Sequence, residues 1–510
     1  MSRAARLLLS LQIVLFSTAL FAQDLASFEK KTSVKTLPNG LTIVVCERHE
    51  APVFSFYTLV DAGAAQDPKG ETGMAHMFEH MAFKGTTTIG TTDYAAEKIA
   101  MQKEEEAYQE YQREKLKRVG QDPKKLEDLE KQFLQEEQEA DKYVIKNEFG
   151  EIIEREGGED LNATTAEDET SYFYSLPSNR LELWAYLESD RFLHPVLREF
   201  YQERDVVYEE RRMRTDSSPL GRMIEQFLAT AYIAHPYRNP NVGWPSDLTN
   251  LSRTEAQQFF DKYYVASNMT IAVVGDVKPD EVFSLAEKYF GQLPAKPKPE
   301  DLNTVEPKQV DERNVNIPER SQPIYLEGYH RGDYRDKDDA VYDAISDLLS
   351  EGRTSRLYRS LVRDKKIAAA AVGFTDFPGV KYPSLFGFYA VPTRGHTPAE
   401  LQVGFKEEID RIKTQDVSDA ELEMVKTRAK ANLIRGLGDN AGLAAQLAIY
   451  EARYGDWREL FYNIDRLQKV TKEDIRRVAN ATFTPTNRTV AIVQTVKSPT
   501  GQEQTTTENQ

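Results

Sequence analysis

Residues 73 to 86 read Gly73-Met-Ala-His76-Met-Phe-Glu-His80-Met-Ala-Phe-Lys-Gly-Thr86. Only 7 histidines occur in 510 residues, and two of them fall here four positions apart. On a helix, positions i and i+4 share a face, so both imidazoles can reach one ion. Glu79, at i+3 from His76, lies on the same side and can take a proton from water as it attacks a carbonyl. Two imidazoles, a carboxylate from elsewhere and a fourth position left for water make up the ligand pattern of a catalytic zinc site. The stretch predicts a short helix opening near Met74.

Upstream, Leu37-Pro-Asn-Gly40 is a turn signal between a strand near residue 34 and the strand-like run Leu41 to Cys46. Val53 to Asp61 continues the sheet, and glycines at 63, 70 and 73 end it. Downstream, about residues 101 to 150 are dense in Glu, Lys and Gln, with Leu, Tyr and Phe at helical spacing. Gly120-Gln-Asp-Pro123 interrupts them, which predicts an inserted charged helical hairpin standing out from the body as a solvated spacer. Prolines 294, 297, 299 and 307 mark a linker over 293–313. It divides an N-terminal domain (30–292) from a second one (314–496). A faint repeat relates the halves. Thr254-Glu-Ala-Gln-Gln-Phe-Phe precedes Ser267-Asn-Met-Thr-Ile-Ala-Val-Val, and Thr471-Lys-Glu-Asp-Ile-Arg-Arg precedes Thr486-Asn-Arg-Thr-Val-Ala-Ile-Val. Two copies of one α+β unit explain it economically. Residues 497–510 are expected to be a disordered tail.

Composition narrows the function classes. With 40% hydrophobic and 29% charged residues the chain has an ordinary globular balance. A net charge of −17 argues against nucleic acid as a partner, since phosphate binding needs a basic surface. Arg3 and Arg6 precede an apolar stretch from Leu7 to Ala22 with small residues at its end, the signature of a secretory signal over 1–22. No other segment is apolar enough to span a membrane, so the mature chain is expected to have no transmembrane span. Cys46 is the single cysteine, so no intramolecular disulfide forms, and its place in a strand-like run reads as a small buried residue.

Taken with its surroundings, the His76–His80 motif resembles that of the inverzincin peptidases of the pitrilysin (insulinase) family. The resemblance also rests on Asn162-Ala-Thr-Thr165, Thr170-Ser-Tyr172, Leu176-Pro177, Glu203-Arg-Asp-Val-Val-Tyr-Glu-Glu210 and His235-Pro-Tyr237. It implies an α+β fold of two homologous domains, each an antiparallel-rich sheet with helices packed on one face. It assigns the third ligand of one Zn2+ per chain to Glu210, and a supporting role to Glu203, two helical turns earlier on the same face. Glu209 points about 100° away. Substrate would lie along an edge strand at Asn162 and Ala163, held by strand addition. Arg363 matches the family's substrate-binding arginine, whereas its tyrosine companion falls within Ala368-Ala-Ala-Ala371 and is missing.

The resemblance therefore implies a secreted, periplasmic zinc endopeptidase acting on unfolded peptides. It would work with a second pitrilysin-type subunit, a heteromer or homodimer, that supplies the arginine–tyrosine pair. The alternative is a non-catalytic peptide-binding or scaffolding subunit. His194 and His235 are expected to be structural.

Overall fold

The computed structural model describes residues 25–496, so the expected signal and tail lie outside the described residues. Gly40 turns the chain at φ 95°, a conformation open to glycine at little cost, and Leu37 N donates to Leu41 O at 2.8 Å. The strands on either side, Thr32–Thr36 (β1) and Thr42–Glu47 (β2), pair antiparallel with Thr36 opposite Thr42. Four more strands complete the first sheet: Val53–Val60 (β3), Glu159–Thr165 (β4), Thr170–Pro177 (β5) and Met269–Gly275 (β6). Their spatial order is β1-β2-β6-β3-β5-β4. The second sheet holds Arg313–Glu319 (β7), Ile324–His330 (β8), Ala368–Phe377 (β9), Leu385–Pro392 (β10) and Arg488–Thr495 (β11), in the order β7-β11-β8-β10-β9.

With β1 set aside, the two sheets share one topology. Each runs first strand, fifth, second, fourth, third, and only the first–fifth pairing is parallel. The repeat seen in the sequence maps onto equivalent places. The helices Arg253–Tyr263 and Lys472–Thr482 each open on a capping box, Ser252 with Glu255 and Thr471 with Asp474, and lead into β6 and β11. This is an α+β fold of two homologous, antiparallel-rich sheets.

Alternation along the central strands explains how each sheet is buried. Ile43, Val45, Phe54, Phe56, Ile271 and Val273 point to the side where Met74, Met77, Phe78 and Trp184 pack. Val44, Cys46, Leu59, Ala272 and Val274 point the other way and are covered by Leu443, Leu447, Trp457 and Phe461. The main helical layer lies on one face, and a helix from the other half of the chain, Asn440–Tyr454, seals the opposite one. The first compact unit therefore comprises the described residues to Glu209, with Pro240–Asn303 and Lys430–Asp465. The second comprises Glu210–Asn239, Thr304–Ala429 and the described residues from Arg466. In that unit Tyr325, Tyr329, Phe386 and Phe388 pack under Ile345, Leu348 and Phe405, and Phe227 of the helix Pro219–Ala231 lies against Gly328.

The charged hairpin departs from expectation. Its first helix, Tyr94–Lys115, begins at Tyr94 rather than near residue 101, because the Asp93 carboxylate accepts from Ala96 N. Gly120 turns at φ 72°, and Asp122 caps the return helix Pro123–Asp141. It is not a spacer standing in solvent. Tyr108 and Phe133 are buried, and their rings lie 4.1 and 5.0 Å from that of Tyr201 on the helix Phe200–Arg211. Tyr201 Oη donates to Glu105 at 2.6 Å, and Arg204 donates to Tyr108 Oη at 2.8 Å. The aromatics at helical spacing are the stripe that packs the hairpin along this helix.

Candidate metal centre

The helix Met74–Met81 owes its start to Asp67, whose carboxylate accepts from Gly73 N at 2.7 Å and Ala75 N at 2.8 Å. This satisfies donors that a helix N-terminus otherwise leaves open. Gly73 sits at φ 92°, and a Cβ there would lie 2.7 Å from Leu248 and 2.8 Å from Val242 O, so only glycine fits. Met74, Ala75, Met77, Phe78 and Met81 are buried, which fixes the helix in rotation and turns His76, Glu79 and His80 to the remaining side. His76 is buried and His80 half-buried, with ring centroids 5.1 Å apart.

The helix Phe200–Arg211 brings two carboxylates to this surface. Glu203 Oε1 lies 2.8 Å from His80 Nδ1. A carboxylate there sets the ring's orientation and directs Nε2 outward, the usual arrangement behind a metal-binding histidine. Burial works to raise Glu203, but hydrogen bonds from His80 and Lys84 and the charge of Lys84 outweigh it and hold its carboxyl at about 2. Glu210, two turns on, completes a trio: one ligand atom each from His76, His80 and Glu210 lie within 4.8 Å of one another. Arg214 also reaches Glu210, at 2.8 Å. Two imidazole nitrogens and one carboxylate oxygen, converging beside a further glutamate, suit Zn2+ with a position to spare. Glu209 is exposed and outside the trio.

Glu79 and His80 open onto a cleft of about 490 Å³, whose other walls are Phe83, Lys84, Lys146, Asn147, Glu199 and Glu203. Lys84 bridges Glu203 at 2.5 Å and Glu199 at 3.2 Å. Lys146 and Asn147, on the return from the hairpin, escaped the sequence reading because no motif marks them. Only the fold brings them into the cleft that Glu79 lines.

The other expected residues stand as follows. Asn162 and Ala163 lie on β4, the outermost strand of its sheet, paired with Phe173 and Tyr172 of β5. Asn162 is exposed and its Oδ1 accepts from Ala163 N at 2.9 Å, while Ala163 is buried. Arg363 belongs to the second unit, where it is half-exposed and paired with its neighbour Asp364 at 2.7 Å. Ala369 and Ala370 are exposed on β9, an edge strand as well. His194 pairs with Asp190 at 2.8 Å, and His235 is buried and accepts from Tyr237 N, outside the converging trio.

Comparisons with known proteins bear on this site. The sequence model described as insulinase (peptidase family M16) matches residues 43–116 and 138–243, and that described as the peptidase M16 inactive domain matches 250–429. The unmatched stretch between the first two segments, 117–137, holds the hairpin's turn and most of its return helix. A protein named zinc protease PqqE from Helicobacter pylori is 29% identical over 96% of this chain and 98% of its own. An uncharacterized zinc protease from Mycobacterium leprae is 24% identical over 87% of this chain and 88% of its own. A crystal structure of a protease from Helicobacter pylori superposes with a TM-score of 0.75 and 28% identity, covering 91% of this chain and 99% of that one. Both halves matched by models of one peptidase family, and relatives aligned nearly end to end, place the chain in the insulinase (pitrilysin) family, peptidase family M16.

Proposed function

We propose that this protein is a secreted zinc-dependent endopeptidase that hydrolyses unfolded peptides together with a second family subunit. The observation that carries the reading is the convergence of His76, His80 and Glu210 within 4.8 Å, with Glu79 beside them on the wall of an open cleft. Zinc held by these three residues would polarise the scissile carbonyl and make water a stronger acid. The chain's own groups do the rest. Glu79 takes the proton from the attacking water and passes it to the leaving amine. Glu203, kept ionised by Lys84 and His80, holds the His80 ring in place. The open side of β4 at Asn162 and Ala163 takes the peptide backbone as an added strand, which selects extended chains over folded ones.

The second subunit is proposed because Arg363 has no tyrosine companion in Ala368-Ala-Ala-Ala371. The basic and apolar residues from Arg3 to Ala22 support export to the periplasm. Among the described residues no helix is long and apolar enough to cross a membrane. The same missing tyrosine favours a second reading, a non-catalytic peptide-binding or scaffolding subunit. A subunit that only binds has no physical need for Glu79 beside a complete ligand trio.

The test is hydrolysis of a mixed quenched-peptide library by the zinc-loaded chain beside Glu79→Gln. We expect cleavage that drops at least ~100-fold in the variant while zinc stays bound, as loss of a general base implies. Zinc binding without cleavage by either protein would favour the binding subunit. Absence of zinc binding would overturn the site.

A further inference from the structure

The three donors sit on two helices more than a hundred residues apart in the chain, so their spacing depends on what ties those helices together. One tie is visible at the surface: His80 in the last turn of the motif helix and Lys84 in the loop just after it meet Glu203 in the first turn of the other helix and Glu199 just before it. A second tie lies underneath. Arg198, two residues before the helix Phe200–Arg211, is 1% exposed. Its Nη1 donates to Lys84 O at 2.6 Å and Ile89 O at 2.9 Å, and its Nη2 donates to Thr86 O at 2.7 Å. All three carbonyls belong to the loop that leaves the motif helix. Its Nε donates to Glu97 Oε1 at 2.7 Å, at the root of the hairpin.

The loop is shaped around this guanidinium. A Cβ on Gly85 or Gly90 would come within 2.9 or 2.7 Å of Nη1, and both glycines have φ near +90° (94° and 87°). A planar fork with five donors can hold three carbonyls and a carboxylate at once, and a lysine cannot. Burying such a cation is costly unless all its partners are present, so the arrangement tolerates little slack.

We infer that Arg198 is a positioning residue for the metal centre. Its guanidinium sets the distance between the helix bearing His76 and His80 and the helix bearing Glu210, and ties both to the root of the hairpin. The inference rests on the zinc-site reading above. Arg198 touches no metal donor, so it acts through the loop and the helix start. Ligand sets lose function when displaced by about 0.5–1 Å.

The test measures Zn2+ affinity by competition with a chromogenic chelator, and the visible absorption of the Co2+-substituted chain, which reports ligand geometry. The proteins are wild type, Arg198→Lys and Glu97→Gln, all in the full chain and at a temperature where circular dichroism matches wild type. Arg198→Lys keeps the charge facing Glu97 but gives up the fork. It should bind Zn2+ at least ~10-fold more weakly and shift the Co2+ bands, the range seen when support behind a metal ligand is lost. Glu97→Gln keeps the shape and the three carbonyl bonds, and should lose about 3-fold, an intermediate effect. Wild-type affinity and spectrum in folded Arg198→Lys, with only a lower Tm, would overturn the inference and leave the site standing. Should Arg198→Lys fail to fold, Glu97→Gln decides: an unchanged affinity and spectrum there overturn it equally. If wild type itself binds no Zn2+, the metal-site reading fails and this inference falls with it.

Discussion

Asp67 shows how much of the centre depends on a residue with no chemical role. It accepts from the first backbone N–H groups of the motif helix, so it holds the turn that carries His76. Replacing it with alanine should cost roughly 1–2 kcal/mol, as loss of a helix cap does, measured by urea unfolding of the metal-free chain. Burial pushes its carboxyl up to about 8, against those same N–H groups, which favour the anion. The folded state then holds a proton that the unfolded state releases near pH 4. Its contribution is complete below that pH and is lost as pH rises through about 8. Asp67→Asn should flatten this part of the stability profile. The residue is not legible in the sequence because it lies seven positions before Met74, the first residue of the helix, and six before Gly73, which holds the usual cap position. The histidines and Glu79 were legible because their spacing alone puts them on one face.

At the scale of elements, the hairpin is where expectation and structure part most. Its composition reads as a solvated spacer, yet it packs along the helix that carries Glu203 and Glu210. Helical spacing reveals that an apolar stripe exists and cannot say what covers it. The packing brings acids together. Burial first, then the neighbouring carboxylates of Glu104, Asp141 and Asp205, push Glu137 up to about 7. A raised carboxyl adds stability that is complete below about pH 4.5 and lost as pH rises through about 7. The chain should therefore melt at a lower temperature at pH 8 than at pH 5.5, and Glu137→Gln should recover part of the difference. A pH-independent gap between variant and wild type would refute the assignment. Phe133→Ala, which removes the ring packed against both Tyr108 and Tyr201, should cost about 3–5 kcal/mol by denaturant unfolding.

At the scale of the whole molecule, the linker composition at 293–313 suggests that the chain divides there, but the compact units do not follow sequence order. The face of the first sheet that includes Val44, Cys46 and Val274 is covered by Leu443, Leu447 and Trp457 from the far end of the chain. Residues 30–292 alone would leave that face bare. Cys46 offers a direct readout, being the only cysteine and fully buried. In the full chain it should react with a thiol reagent only after unfolding. In a 30–292 fragment it should react within the mixing time, and the fragment should aggregate. Slow, protected reaction in the fragment would mean that the N-terminal half closes its own core.

The sequence by itself determined the local pattern: that His76, Glu79 and His80 share one helix face, where a turn such as Leu37-Pro-Asn-Gly40 falls, and that one α+β unit occurs twice. The first two depend on spacing within a helix or turn, which a few neighbouring residues settle, and the third on one such pattern recurring. Only the tertiary structure decided what depends on contacts between distant segments. These are the helix that seals the first sheet, the partner of the hairpin's aromatic stripe, the lysine and asparagine that share a cleft with Glu79, and the buried arginine behind the helices that carry His76, His80 and Glu210. Their physical reason is shared. Apolar and ionic groups record in the sequence that they need a partner, and only packing chooses which one.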